Sequence, residues 1–212
     1  MTSTDEALRS AICAVGQRLY VQRLIVAWDG NISVRLDDNH ILTTPAGTCK
    51  GQLSPADLVV VDLEGNVVEG DRRASSELKM HLAAYRARPD VRACVHAHPP
   101  TAVALTLAGL PLDARLLPEL VLTLGSIPTA PYALTGTHEV PESLAPFLPH
   151  HNAILLSHHG ALTLGTDVWQ AFFRMEQVEH GARILHMAQQ LGGAQPLSEE
   201  RIRELERLRV TG

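Results

Sequence analysis

The chain has 212 residues, of which 45% are apolar and 19% charged, as is typical of a globular protein, and we expect residues 1–212 to form one domain. A net charge of −5 and a pI near 6.1 argue against a nucleic-acid-binding protein, which would carry a basic surface. No apolar run approaches the roughly 20 residues that cross a membrane, residues 1–6 do not resemble a signal peptide, and the cysteines indicate reduced thiols, so we expect a cytoplasmic protein.

Hydrophobic periodicity predicts a mixed order of helices and strands in the first half of the chain. Apolar residues at helical spacing predict a helix over residues 7–19, and alternation with Ser33 and Arg35 predicts a half-buried strand over residues 32–36. A helix begins near Ser76 and ends before Pro89. The further strands predicted here are residues 41–44 and the hairpin formed by 58–62 and 66–68.

The second half of the chain continues with strands that end in polar residues. A strand runs to His98 and stops at Pro99, because proline cannot donate to a strand ladder. Asp167 is placed to cap the longest helix, which we expect to run to Leu191. The other predicted elements are helices at 101–108, 137–145 and 199–208, an edge strand at 127–132 and a strand at 153–156.

Two histidines, His96 and His98, lie two residues apart at the end of an apolar strand. Residues i and i+2 of a strand point to the same face, so their rings should lie side by side and suit a metal ion. A second strand delivers His158 and His159, of which only one can easily point to the same place. In a strand continued that far, His159 faces the same way as Ser157. A pair of structural histidines is the alternative interpretation for each motif.

Ser75, Ser76 and Glu77 stand at the start of a predicted helix. The serines are natural helix caps, and an acid in the first turn is favoured by the helix dipole. The functional alternative is an anion site, since helix N-terminal amides and serine hydroxyls can hold a phosphate. An acid would then stand close to that site.

Five short motifs in this order and spacing resemble the class II aldolase/adducin family, the group of L-fuculose-1-phosphate aldolase, over nearly the whole chain. The resemblance implies an α/β fold with three layers, α/β/α, around a central, mostly antiparallel sheet. It also implies a homotetramer with active sites at subunit boundaries. The motifs are Gly30-Asn31, Pro45-Ala46-Gly47, Ser75-Ser76-Glu77, His96-Ala97-His98 and His158-His159-Gly160.

The resemblance also assigns roles to residues at matching positions. His96, His98 and His159 resemble the ligands of Zn²⁺, with Co²⁺ or Mn²⁺ as possible substitutes. Glu77 resembles the acid beside the metal, which acts as the catalytic base and can also ligate. The residues that resemble the substrate and phosphate ligands are Asn31, Gly47, Ser75 and Ser76.

The implied function is a zinc-dependent aldolase that cleaves a ketose 1-phosphate to dihydroxyacetone phosphate and an aldehyde through a metal-stabilised enediolate. Another zinc enzyme of the family, an epimerase, dehydratase or decarboxylase acting on a sugar phosphate, is the first alternative. A non-catalytic adducin-like interaction domain is the second, and the intact ligand set argues against it. Glu77 favours the aldolase over the epimerase branch, which carries an aspartate at this position.

The sequence departs from the fuculose enzyme at several positions. Trp28 and Ala46 replace threonines at the phosphate, which predicts weak selectivity for phosphorylated over free sugars. The tyrosine expected near Leu117 is absent, and Glu119 is our candidate for its catalytic role. A Schiff-base mechanism would need a lysine in the site. Lys50, in a predicted loop, and the helical Lys79 are not expected there.

Overall fold

The computed structural model describes residues 3–211, and its centre is one sheet of eight strands. All neighbouring strands pair antiparallel except the last two in the spatial order, which pair parallel at one edge. The spatial order is β4-β3-β2-β1-β5-β8-β7-β6. The strands are β1 Asn31–Arg35, β2 His40–Thr43, β3 Val59–Asp62, β4 Val67–Glu69, β5 Ala93–Ala97, β6 Thr129–Ala130, β7 Ala153–Leu156 and β8 Gly160–Gly165.

Helices cover both faces of this sheet, so the predicted three-layer α/β/α fold with a mostly antiparallel sheet is confirmed. One face packs on α1, α3 and α6, and the other packs on α2 and α5. Among the helices of residues 3–211, none combines the length and apolar character that a bilayer crossing requires. The helices are α1 Ser3–Val21, α2 Leu78–Ala87, α3 Pro100–Leu107, α4 Pro118–Thr123, α5 Glu139–Leu144, α6 Val168–Gln190 and α7 Glu199–Thr211.

The prediction of a half-buried first strand is wrong, because every residue of β1 is buried. The strand lies in the middle of the sheet, where both faces are covered by helices. The buried Ser33 hydroxyl of this strand is paired inside the protein: Ser33 Oγ lies 2.7 Å from Nδ1 of His81 and 2.8 Å from the hydroxyl of Tyr85, both on α2. Buried hydroxyls need such partners.

The region after β7 also differs from the prediction. Strand β7 spans Ala153–Leu156 as expected, but residues 157–159 form a tight turn and β8 returns antiparallel beside it. His158 adopts a left-handed backbone conformation in this turn, with φ of 60°. Strand β8 inserts between β7 and β5, and this places the turn beside the end of the strand that carries His96.

Candidate metal centre

Strand β5 and the residues that follow it supply two imidazoles. His96 is fully buried, and its Nδ1 donates to the carbonyl oxygen of Ala161 on β8 at 3.0 Å, so its Nε2 is left to face the site. His98 lies just beyond the strand end, where its backbone N–H donates to the carbonyl of Leu24 at 2.8 Å. The two ring centroids are 4.9 Å apart. The structure therefore brings the two rings side by side.

The tight turn between β7 and β8 supplies a third imidazole. The ring centroid of His159 lies 4.8 Å from that of His96 and 5.0 Å from that of His98. His158 is exposed and pairs with its neighbour, the Ser157 hydroxyl, at 2.9 Å. As expected, only one ring of the His158-His159 pair reaches the cluster. It is directed there by the turn and not by the alternation of side chains along a strand.

Glu77 completes the cluster from the start of α2. Its Oε1 lies 2.9 Å from Nε2 of His159, and its Oε2 lies 3.5 Å from Nε2 of His96. Asn31 on β1 donates from Nδ2 to the same Oε2 at 3.3 Å. Glu77 occupies the cap position of the helix, and its side chain makes no cap hydrogen bond. The Ser75 hydroxyl accepts the Glu77 backbone N–H at 3.2 Å, so Ser75 caps the turn that leads into α2, although the helix itself begins at Leu78.

The four side chains fit a divalent metal ion. Their ligand atoms all lie within 4.8 Å of one another, and Nε2 of His96 and Nε2 of His98 are 3.1 Å apart. Ligand atoms of a tetrahedral zinc site with bonds of about 2.0–2.1 Å are about 3.3 Å apart, which the closer pairs approach, at 2.9, 3.1 and 3.5 Å. A metal needs neutral imidazoles. Burial, together with the charges of His96 and His159, lowers the pKa of His98 to about 3 and keeps it neutral.

The pKa of Glu77 is lowered although the carboxyl is largely buried. Burial acts to raise the pKa of the Glu77 carboxyl, but hydrogen bonds from His159 and His96, and their charges, outweigh burial and hold it well below its usual range. These imidazoles donate through Nε2, which is the atom that would bind a metal ion. A bound cation would replace the donated protons as the positive partner of the carboxylate.

A cavity of about 240 Å³ opens beside the cluster and contains three of the four predicted phosphate-site residues, Gly47, Ser75 and Ser76. Gly47 has a φ of 64°, and a Cβ built on it would meet nothing within 4 Å, so its backbone faces open space. Asn31 lies next to the Ser75 side of this cavity, with its Nδ2 3.4 Å from the Ser75 hydroxyl. A larger cavity of about 570 Å³ contains none of the four cluster residues.

The remaining predicted site residue, Glu119, is not part of this arrangement. It is exposed in the first turn of α4 and does not line the cavity beside the cluster. Glu119 is also not one of the four candidate metal ligands found among the described residues.

Two charged residues that line the cavity, Lys50 and Asp29, were not predicted to be there. Lys50 lies in the one-turn 3₁₀ helix Lys50–Gln52, is only 2% exposed and lines the cavity. The prediction that it lies in a loop outside the site is therefore wrong. Asp29 also lines the cavity, with Oδ2 3.6 Å from Nδ1 of His98. Neither belongs to a local pattern that would mark it, because Lys50 reaches the cavity only through packing between distant segments.

A layered α/β/α fold with three histidines and a glutamate around a polar cavity defines a candidate metal-dependent enzyme. The chain matches the family described as Class II Aldolase and Adducin N-terminal domain over residues 10–186, and it belongs to that family. The resemblance inferred from the sequence and the prediction of an enzyme of the class II aldolase type are therefore confirmed.

The chain is similar to sugar-phosphate aldolases and to a decarboxylase of this family. The chain is 34% identical over 190 residues to 3-oxo-tetronate 4-phosphate decarboxylase of Haemophilus influenzae. This alignment covers 88% of this chain and 90% of the relative. The chain is 31% identical to 5-deoxy-D-ribulose 1-phosphate aldolase of Bacillus thuringiensis, covering 93% and 92%. A solved L-fuculose 1-phosphate aldolase superposes with a TM-score of 0.88 at 31% identity, covering 98% of this chain and 97% of that one.

Proposed function

We propose that this protein is a divalent-metal-dependent lyase that cleaves a ketose 1-phosphate to dihydroxyacetone phosphate and an aldehyde. The observation that carries the proposal is the juxtaposition of the His96, His98, His159 and Glu77 ligand atoms with a cavity lined by Ser75 and other donors. Zn²⁺ is the proposed ion, because three imidazoles and an open position are its usual catalytic ligand set.

The chemistry requires a Lewis acid and a proton carrier. A divalent cation held by the imidazoles supplies the Lewis acid for the substrate's carbonyl and neighbouring hydroxyl oxygens. Glu77 is the proposed proton carrier, because its carboxylate faces the cluster and is held by Asn31 on the other side. Ser75 and Ser76 would hold the phosphate at the wall of the cavity and so fix the reacting carbon relative to Glu77.

In a retro-aldol reaction, a base removes the proton from the hydroxyl on the carbon that becomes the aldehyde. The adjacent carbon–carbon bond then breaks, and its electron pair moves into the carbonyl to give an enediolate. Protonation of the enediolate carbon yields dihydroxyacetone phosphate. The base that took the hydroxyl proton passes it to solvent, and Glu77 takes up a proton from solvent and is placed to deliver it to the enediolate carbon. Glu119 stays our candidate for the base at the departing aldehyde, and a neighbouring subunit would have to bring it to the site.

Decarboxylation of a phosphorylated 3-oxo sugar acid is the second candidate, favoured by the exposed position of Glu119. This reaction breaks the bond to the carboxylate and releases CO₂, with the electron pair moving into the same carbonyl. It needs no base at a departing hydroxyl and only one protonation of the product carbon. The 34% identity to a decarboxylase of this substrate class supports this alternative.

One experiment separates the two candidates. Zinc-loaded protein is incubated with a series of ketose 1-phosphates and, separately, with phosphorylated 3-oxo sugar acids. Release of dihydroxyacetone phosphate from the first series, measured by coupled reduction, is the expected result. Release of CO₂ from the second series without cleavage of the first would reject the aldolase in favour of the decarboxylase. Protein that binds no metal would reject both.

The assembly and location are proposed on the same grounds. We expect the whole chain to act as one domain in a homotetramer of the cytoplasm, with sites completed at subunit boundaries. The sugar-phosphate substrates that suit the family support the choice of a small-molecule partner. A non-catalytic adducin-like role is disfavoured, because four convergent ligand atoms serve no purpose in a scaffold.

A further inference from the structure

Lys50 is a buried cation that forms no direct ion pair in the described part of the chain. Its side chain is 2% exposed, and Nζ donates to the carbonyl oxygen of Trp28 at 2.6 Å. Among residues 3–211, no carboxylate oxygen lies within ion-pair distance of this ammonium. An ammonium has three N–H donors, so the neutral Trp28 carbonyl satisfies only part of its hydrogen-bonding capacity.

This arrangement is unfavourable unless an anion is nearby. Burial lowers the pKa of Lys50, and the charges of Asp29 and Glu77 only partly offset that effect. Those two carboxylates also line the cavity, where Glu77 belongs to the candidate metal site. With a divalent cation bound beside Glu77, Lys50 makes the cavity net positive. An anionic ligand would restore charge balance.

The lining of the cavity favours a tetrahedral oxyanion. The hydroxyls of Ser75 and Ser76 and the open backbone at Gly47 share the cavity with Lys50. Hydroxyls, backbone amides and an ammonium can donate to several oxygens of one anion at once. A phosphate monoester presents three such oxygens and up to two negative charges.

We propose that Lys50 is a specificity-determining residue that makes this site select phosphorylated substrates over the corresponding free sugars. The inference rests on the proposed function, since it concerns the remote group of that same substrate. It reverses the weak selectivity predicted from Trp28 and Ala46, because the structure supplies a cation where the sequence shows only the loss of two hydroxyls.

The test compares Lys50→Met with wild type, using the zinc-loaded protein. Methionine matches the length of the lysine stem and is apolar, so it suits a buried position. We expect the affinity for inorganic phosphate, measured by calorimetry, to fall roughly tenfold to hundredfold, as for loss of a charged hydrogen-bonding partner. Acetate serves as the second probe, and its weak affinity should change less than threefold if the site prefers a tetrahedral anion.

Kinetics supply the second readout. For Lys50→Met we expect KM for a ketose 1-phosphate to rise at least tenfold while kcat stays within threefold, and kcat/KM for the free ketose to stay unchanged. Lys50→Arg should restore most of the phosphate preference. Lys79→Met is the control, because the Lys79 side chain does not line this cavity. It contacts the cavity wall only through its hydrogen bond to the carbonyl oxygen of Gly136, at 3.2 Å.

The proposal is overturned if Lys50→Met binds phosphate within twofold of wild type, or if Lys79→Met loses as much. Should Lys50→Met fail to fold, Lys50→Gln provides the same neutralisation with a polar head, and the same outcomes apply. Failure of the proposed function gives a different result. In that case no ketose 1-phosphate is cleaved by any variant, yet the phosphate affinities still decide the role of Lys50.

Discussion

Gly160 begins β8 beside the candidate metal ligands and has no room for a side chain. A Cβ at this position would lie 2.4 Å from the carbonyl oxygen of Ala97, 2.7 Å from Cδ2 of His98 and 3.1 Å from Cε1 of His96. Ordinary contacts begin at 3.4 Å. Strands β5 and β8 must therefore move apart by about 1 Å to accommodate Gly160→Ala, and overpacking of this kind strains the core.

The size of the effect follows from the tolerance of metal coordination. A displacement of about 1 Å exceeds several-fold the ±0.2 Å within which metal–ligand distances fall. We expect Gly160→Ala to weaken metal affinity about 10–100-fold, as is common when the support of metal ligands is disturbed. The free energy of unfolding of the metal-free protein should also fall, by about 1–3 kcal/mol.

Competition with a chromophoric chelator measures the metal affinity, and urea unfolding measures the stability. Gly165→Ala is the matched control at the other end of β8, where a Cβ would lie 2.6 Å from the Ala171 nitrogen and 2.7 Å from the Asp167 carbonyl oxygen. It should lose comparable stability and keep its metal affinity. Equal metal affinities in the two variants would refute the argument that Gly160 shapes the site.

Three further predictions concern Glu77, Lys50 and His81. Glu77→Gln should lower kcat by about 10²–10⁴-fold with full metal content by elemental analysis, and turnover within threefold of wild type would contradict the base assignment. Borohydride added during turnover should leave Lys50 unmodified, as measured by mass spectrometry, and a chelator should abolish activity. A reduced substrate adduct on Lys50 would instead indicate a Schiff-base mechanism. Burial lowers the pKa of His81 from 6.5 to about 3, so His81 contributes stability that is present above pH 6.5 and lost as the pH falls toward 3, by up to about 1.4 kcal/mol per pH unit. Urea titrations from pH 3 to pH 7 should therefore show a shallower slope for His81→Gln, and an unchanged slope would disprove this linkage.

The sequence was informative where a local pattern determines the direction of a side chain. Strand alternation predicted that His96 and His98 would lie side by side, and their centroids are 4.9 Å apart. Proline and glycine marked most element boundaries, and Asp167 caps α6 as expected by accepting from the Gln170 N–H. Each of these features depends on a few consecutive residues.

The unpredicted features depend on contacts between distant segments. Residues 160–165 were not recognised as a strand, although the apolar residues Ala161, Leu162 and Leu164 lie between Gly160 and Gly165. Lys50 reaches the cavity because its turn packs closely on α1, where a Cβ on Gly16 would lie 2.4 Å from the Lys50 carbonyl oxygen. No local pattern encodes that approach. Burial of Arg35 likewise follows from the central position of β1.

Residues 28 and 29 connect the cation of the cavity to the candidate metal ligands. The Trp28 carbonyl accepts the hydrogen bond from Lys50, and the Asp29 carboxylate lies 3.6 Å from Nδ1 of His98. The Trp28 side chain itself is 66% exposed, so the backbone of this residue contributes the polar contact. Replacing a threonine by tryptophan therefore removes a hydroxyl but keeps the acceptor that holds Lys50. The site can lose this neutral hydroxyl donor and still select anions, because the buried Lys50 ammonium lines the same cavity. A hydrogen bond from a charged donor is stronger than one from a neutral hydroxyl.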